Sequence, residues 1–463
     1  MFLSFILISS LSFVSSQISF VEQPQDGQFY CRDLITNEAI VPVSGSIATP
    51  DVDELALVVF RDGVYYQSDI ESLIYTNGQA SFDLTVTIVA GLHNYNFYLY
   101  AQKSGIRRQI MSARHIVCGD AFIIDGQSNA VASDYHQEGL ANESQSNWIR
   151  SYGTASVNAS DVPVDAEWHV ADGIGAYSSG CVGAWALRCA NRLMDYLQMP
   201  IAVINGAVGG TIIASHLRDN LDPENLNTIY GRLLYRANKS GLASKARAII
   251  WHQGESDGQG DPAIYLADWN IMRSAWAEDY PEANNVFIFQ IRNGCGVSGD
   301  LDIRDLQRRM PDLYDDITAI PTTGIDEHDG CHFFYQGYKT MGTWAAAAIA
   351  RVLYDAPFPS SGYPPRVASA TFSSPAHDSI DLIFRDQSQT LFLDQNIEGR
   401  FYLVGGGAET VSSATATLGK ITLQLSGPTS ATHISFLGNI GAGPWIKNQF
   451  GIGAFTFKLP ILP

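Results

Sequence analysis

An ester can be broken by a serine if a histidine takes its proton, an acid fixes the histidine's tautomer, and N–H groups wait where the carbonyl oxygen turns negative. Each part can be found in this chain. Ser128 lies in Asp125-Gly126-Gln127-Ser128-Asn129, directly after the apolar run 121–124. That pattern predicts a short buried strand ending in a sharp turn, with the serine exposed at the strand's carboxyl end. His332, in Asp329-Gly330-Cys331-His332, is the best candidate base among ten histidines. Asp329, three residues earlier, can accept from one ring nitrogen while the other faces Ser128. Asp326 with His328 is the competing pair on the same loop.

Two more loops carry candidate oxyanion donors. Asn205-Gly206-Ala207-Val208-Gly209-Gly210-Thr211 offers Gly209 and Gly210, whose backbone N–H groups can approach an oxygen with no Cβ in the way. His252-Gln253-Gly254-Glu255-Ser256-Asp257 offers the Gln253 amide. Taken singly, a Gly-Gly pair is ordinarily a turn and an Asp-x-x-His ordinarily surface polarity. The weight comes from their positions after successive strands.

Those strands belong to the stretch 116–357, where extended runs near 201–204, 246–251 and 285–291 alternate with helical patterns near 185–197, 225–237, 263–277 and 336–354. Such alternation predicts an α/β catalytic domain with a doubly wound parallel sheet, its loops converging on the rim at the strands' carboxyl ends. Residues 17–115 and 366–463 carry short strands and turns instead, so each is expected to be an all-β, sandwich-like domain. Phe358-Pro359-Ser360-Ser361-Gly362-Tyr363-Pro364-Pro365 reads as the linker before the second.

The four loop sequences together resemble those of the SGNH (GDSL-type) hydrolases, specifically the carbohydrate acetylesterases of the sialate O-acetylesterase group. Gly126-Gln127-Ser128-Asn129, Val208-Gly209-Gly210-Thr211, Trp251-His252-Gln253-Gly254-Glu255-Ser256-Asp257 and Asp329-Gly330-Cys331-His332 match that group's blocks in order. The resemblance implies an SGNH-type, flavodoxin-like fold and a serine esterase that removes O-acetyl groups from carbohydrates through an acetyl-enzyme. It implies Ser128 as nucleophile, His332 as base and Asp329 as its orienter. It further implies that the Ser128 and Gly209 N–H groups form the oxyanion hole, with Gly210, Glu255 and Asn129 as candidate supports. The third block departs from the broader Gly-x-Asn-Asp pattern, and Gln253 is the candidate replacement for its Asn, with Glu255 and Ser256 the alternatives. No cofactor or metal is expected, and no zinc-type Cys/His spacing is present.

Composition narrows the partners. A net charge of −19 gives no basic footprint for nucleic acid or an anionic membrane, and 46% hydrophobic with 16% charged residues excludes a disordered chain or a coiled coil. Residues 1–16 form an apolar run ending in small residues, as a secretory signal cleaved near Ser16 does. The expected location is therefore secreted or lumenal, the lysosome included, and the expected partner an acetylated carbohydrate. Six cysteines allow disulfides in 15 connectivities if all pair; Cys181 could bridge Cys189 only from off the helix. Asn142, Asn158 and Asn238 head glycosylation sequons. The rival readings are a glycan-binding or structural protein with a degenerate hydrolase domain, and a lipid or thioester hydrolase on the same fold.

Overall fold

The computed structural model describes residues 18–48, 52–292, 294–295, 301–356, 362–438 and 442–463. The expected signal segment and residues 358–361 of the expected linker lie outside them. The chain divides into two compact units between Cys118 and Gly119.

The first unit is built from β1 (Ile18–Glu22), β2 (Phe29–Cys31), β3 (Glu38–Ile47), β4 (Glu54–Arg61), β5 (Val64–Ser72), β6 (Ala80–Val89), β7 (Gly91–Lys103) and the first part of β8 (Ile106–Gly126). One sheet runs β1-β3-β6; β5, β4, β7 and β8 form the other, with β2 against β8. Strand β6 shows the cause. Ala80, Phe82, Leu84, Val86 and Ile88 point inward, while Ser81, Asp83 and Thr85 face solvent, the period of two that buries one face of a sheet. Leu55, Leu57 and Val59 from β4 and Phe97 and Leu99 from β7 complete the same core.

In β8 the pattern changes. Up to His115 buried and exposed residues are mixed, and from Ile116 to Gly126 every residue is buried, as in a strand covered on both faces. Sequence patterning found only its apolar end at 121–124, because the exposed half has no apolar face to mark it.

The second unit continues with α1 (Ser128–Val131), β9 (Ile149–Tyr152), β10 (Trp168–Val170), α2 (Ala184–Leu197), β11 (Ile201–Asn205), α3 (Ile229–Lys239), β12 (Ala248–His252), α4 (Pro262–Asp279), β13 (Val286–Phe289), α5 (Leu301–Leu313), β14 (Ile317–Ile320) and α6 (Tyr335–Tyr354). The sheet order is β10-β9-β11-β8-β12-β13-β14, parallel from β9 to β14 with β10 an antiparallel edge. Chain order reverses on either side of β8, which is where an open α/β sheet leaves a crevice for ligands. The registers level the three loop-bearing ends: Asn205 of β11 lies opposite Ile124, and His252 of β12 opposite Gly126. Helix starts follow capping chemistry. The Asp261 side chain accepts from Ala263 N before Pro262, and the Thr228 hydroxyl accepts from Gly231 N.

Helix α5 and strand β14 were not foreseen. Pro311 inside α5 signals a break to sequence patterning, yet so near the helix end it removes little. The strands after Val367 form a seven-stranded sheet and a two-stranded one, around a core that includes Ile380, Leu382, Ile421, Leu423 and Phe457. The segment 366–463, expected as a domain of its own, shares one compact unit with the parallel sheet. Gln290, fully buried, donates to Arg304 O and Thr456 O and accepts from Thr456 N, and Arg304 donates to Leu437 O. Buried polar links of this kind tie two layers in one register.

Candidate active site

At the end of β8, Gly126 takes φ +141°, and a Cβ there would stand 2.2 Å from His252 O. Only glycine fits so close an approach in that backbone region, and the chain turns so that Ser128 opens α1, half-buried. Beneath the serine the turn is locked to β12. Gln127 N donates to His252 O at 2.9 Å, and Gln127 Oε1 accepts from Ser256 N at 3.1 Å. Among the described residues no protein group hydrogen-bonds the Ser128 hydroxyl, which leaves it open to a substrate.

Asn129 points inward. Its amide donates to Glu255 Oε1 at 2.9 Å and Cys331 O at 3.2 Å, while its Oδ1 accepts from Tyr338 Oη at 3.1 Å. One fully buried side chain thus joins the nucleophile turn, the third loop and the histidine loop. Glu255 is buried as well. Burial pushes its carboxyl up, but His252, with Nε2 at 3.4 Å, and the Asn129 amide outweigh that and hold it below its ordinary value.

Gln253, expected to add an amide at the oxyanion, is instead a tie between loops. It is fully buried, and three acceptors, Thr211 O at 3.0 Å, Asp257 Oδ2 and Gln127 Oε1, stand within hydrogen-bond reach of its Nε2. An amide nitrogen has two hydrogens, so none is left for a substrate oxygen.

The glycine loop is stapled to the same turn. Asn205 Nδ2 donates to Ala130 O and Val182 O at 2.8 Å, and Val208 N donates to Gly126 O at 2.9 Å. Gly209 is brought so near the serine that a Cβ on it would lie 3.5 Å from Ser128 Cβ. Its N–H donates to Tyr177 Oη at 2.8 Å. Gly210, with φ +73°, makes the turn that follows. Below the loop, Asp125 meets His216 Nδ1 at 3.0 Å, and His216 Nε2 meets Thr211 Oγ1 at 2.8 Å, both ring and carboxyl buried.

His332 stands across the site. Its ring packs on Tyr135 with centroids 4.3 Å apart, and the Tyr135 hydroxyl donates to Ser128 O at 2.9 Å. Asp329 shapes the loop through the backbone: its Oδ1 accepts from Cys331 N at 2.7 Å and His332 N at 2.8 Å, and its Oδ2 lies 3.6 Å from His136 Nε2. Burial lowers the His332 pKa from its ordinary 6.5, and His136 adds to that, against the opposing charges of Asp329 and Glu255. For Asp329, burial raises the pKa, but the two backbone N–H bonds with His332 and His136 hold it below the usual carboxylate range. A disulfide between Cys295 and Cys331 fastens the residue just before His332.

The competing pair is occupied elsewhere. Asp326 accepts from Trp445 Nε1, and His328 has Arg292 Nη2 3.1 Å from its Nε2. Cys181 does lie off the helix, but it and Cys189 remain buried thiols. A cavity of about 600 Å³, walled by Arg351, Tyr363, Arg366 and Arg385, lies apart, and none of the loop residues above lines it. Among the described residues no three His, Cys, Asp or Glu side chains converge as metal ligands. No helix of the described residues is long and apolar enough to cross a membrane.

Sequence patterning missed Asn205, Tyr135, Tyr177, His216 and Tyr338. Asn205 alone carried a signal, as the polar last residue of an otherwise apolar strand; the tyrosines reach the site from a loop and a helix whose patterns do not announce it.

A comparison of the sequence with curated proteins finds no match. Among solved structures, a carbohydrate acetylesterase from Xanthomonas citri shares the fold, with a TM-score of 0.65 at 17% identity over 95% of this chain and 99% of that one. A protein from Arabidopsis thaliana gives a TM-score of 0.40 at 20% identity over 50% of this chain and 98% of that one. A family two carbohydrate esterase from Clostridium thermocellum gives 0.31 at 11% identity over 72% and 99%. Residues 118–351, half of the chain and all four loops, match the family described as carbohydrate esterase, sialic acid-specific acetylesterase. The chain belongs to that family of carbohydrate esterases and is a carboxylic ester hydrolase.

Proposed function

We propose that the protein is a carbohydrate O-acetylesterase that works through an acetyl-enzyme on Ser128. Ser128 Oγ attacks the acetyl carbonyl as His332 takes its proton, and the sugar hydroxyl leaves with that proton. Water then attacks the acetyl-enzyme, again with His332 as base, and acetate departs. The Ser128 and Gly209 N–H groups receive the oxyanion. Asp329 holds His332 in place, acting on the loop backbone and through its charge. The observation that carries this reading is the convergence itself: an unpartnered serine hydroxyl, a glycine on which an added Cβ would lie 3.5 Å from the serine Cβ, and a histidine bridged to the serine's backbone by Tyr135.

The substrate class is an acetylated sugar, either a sialic acid acetylated on its glycerol side chain or an acetylated plant polysaccharide. The SGNH-type classification is supported by five of the six parallel strands, β11-β8-β12-β13-β14, which run in the order 2-1-3-4-5 about β8 when the edge-side β9 is set aside. A secreted or lumenal location is supported by the Cys295–Cys331 disulfide, since such bonds persist in oxidising compartments. The test is acetate release from these substrates alongside turnover of an aryl acetate. Release from a sugar acetate that Ser128→Ala abolishes is expected; equal rates in wild type and variant would overturn the reading.

A further inference from the structure

The donor that the mechanism assigns to the oxyanion is already engaged. Gly209 N–H points at Tyr177 Oη from 2.8 Å, inside the 2.7–3.1 Å range at which an oxyanion donor works. A Cβ on Gly209 would lie 3.2 Å from that phenol oxygen and 3.5 Å from Ser128 Cβ, so glycine, serine and phenol oxygen crowd one spot. One N–H cannot serve two oxygens along the same direction.

The tyrosine is held there against its own backbone preference. Tyr177 takes φ +60°, a left-handed conformation that a bulky residue adopts only when its surroundings impose it. The surroundings are visible. Asp172 Oδ2 accepts from Ile174 N and Gly175 N at 3.2 and 3.0 Å, Ser178 Oγ donates to Gly175 O at 3.0 Å, and Thr154 Oγ1 donates to Tyr177 O at 3.4 Å. Gly175 and Gly180 stand on either side of the tyrosine, the second at φ +68°, so the turn that presents the ring has glycine on both flanks.

We propose that Tyr177 occupies the oxyanion position of the free enzyme, and that an ester carbonyl must displace its hydroxyl to reach the Gly209 N–H. Tyr177 is then a competitor of the substrate oxygen and sets how easily the site accepts an acyl group. This rests on the esterase reading of Ser128.

Tyr177→Phe keeps the ring and removes the competing oxygen. Acetate binding, followed by calorimetry, should tighten about fivefold, the factor that one ordinary hydrogen bond is worth, and kcat/KM for an aryl acetate should rise by a similar factor. Tyr177→Asn, whose short side chain tolerates the left-handed backbone, should move both quantities the same way and guards against a folding defect in the first variant. Unchanged or absent acetate binding in both variants overturns the proposal. So does a tenfold fall in kcat, which would make the phenol a donor to the oxyanion. A wild type that turns over no ester sinks the esterase reading instead, while the acetate titration still decides the place of Tyr177.

Discussion

The core of the first unit and the rim around Ser128 are equally buried and built from opposite materials. Among the described residues of the first unit no charged or amide side chain is buried, and the Tyr95 hydroxyl, bonded to Val89, is a lone buried phenol; along the rim Asp125, Gln127, Asn129, Asn205, His216, His252, Gln253 and Glu255 are all buried. An apolar core holds its own sheets and asks little of any single contact's direction. A buried polar network is stable only when its members meet at set distances, so it fixes where neighbouring groups stand. The difference marks which part of the molecule is made to position something.

The largest effect should fall on Ser128 and His332, the two half-buried side chains proposed to react. Ser128→Ala and His332→Ala should each lower kcat for an aryl acetate about ten-thousand-fold, the scale of losing one member of a catalytic triad, with the thermal midpoint held near the wild-type value. A loss of stability equal to that of a core variant would show that these residues serve the fold rather than the chemistry.

In the first unit the same logic runs in reverse. Leu84, fully buried on β6, should cost about 3 kcal/mol of that unit's stability as Leu84→Ala, through lost transfer energy and the cavity left behind. Denaturant unfolding measures it, and kcat of the folded protein should stay as it was. A large fall in kcat would erase the division of labour.

Asn129→Ala tests the rim with a change that should register on both scales. It strips a hydrogen bond from the buried Glu255 carboxylate and frees Cys331 O beside the base. About 2 kcal/mol of stability should go, as expected when a buried group loses its partner, together with about tenfold in kcat, each 1.4 kcal/mol of misplacement being a factor of ten. Full activity in a destabilised Asn129→Ala protein would mean that the network supports the fold alone.

The two regions also differ in how far the sequence discloses them. Strand β6 could be read from its alternation, and β11 and β12 from their apolar runs, because burial leaves a period in the residues. Ser128, Gly209, His332 and Asp329 could be named as candidates because each follows a strand or precedes a helix with chemistry in its side chain or its lack of one. Gln253 shows what residue type leaves unsaid: an amide fits an oxyanion donor, but its direction in the structure is set by Thr211, Asp257 and Gln127, far apart in the chain. Tyr177 left no trace in any pattern, because its role comes from a left-handed turn and a neighbour 32 residues away.

The smallest effect is a displacement along the pH axis, and it reads the network's electrostatics rather than its geometry. His332 must be neutral to accept the serine proton, and burial sets its pKa below 6.5, so kcat/KM should be level near neutrality and fall on acidification through a pH lower than that of an ordinary histidine. Three titratable neighbours act on it: the Asp329 and Glu255 carboxylates raise the pKa, and His136 lowers it. Removing a raising charge must therefore move the acid limb lower still. Glu255→Gln does so while keeping a carbonyl oxygen for the Asn129 amide, so the plateau rate should change far less than the limb's position. A limb that moves up, or stays fixed while Asp329→Asn shifts it down, would show that the buried carboxylate holds Asn129 in place without its charge reaching the base.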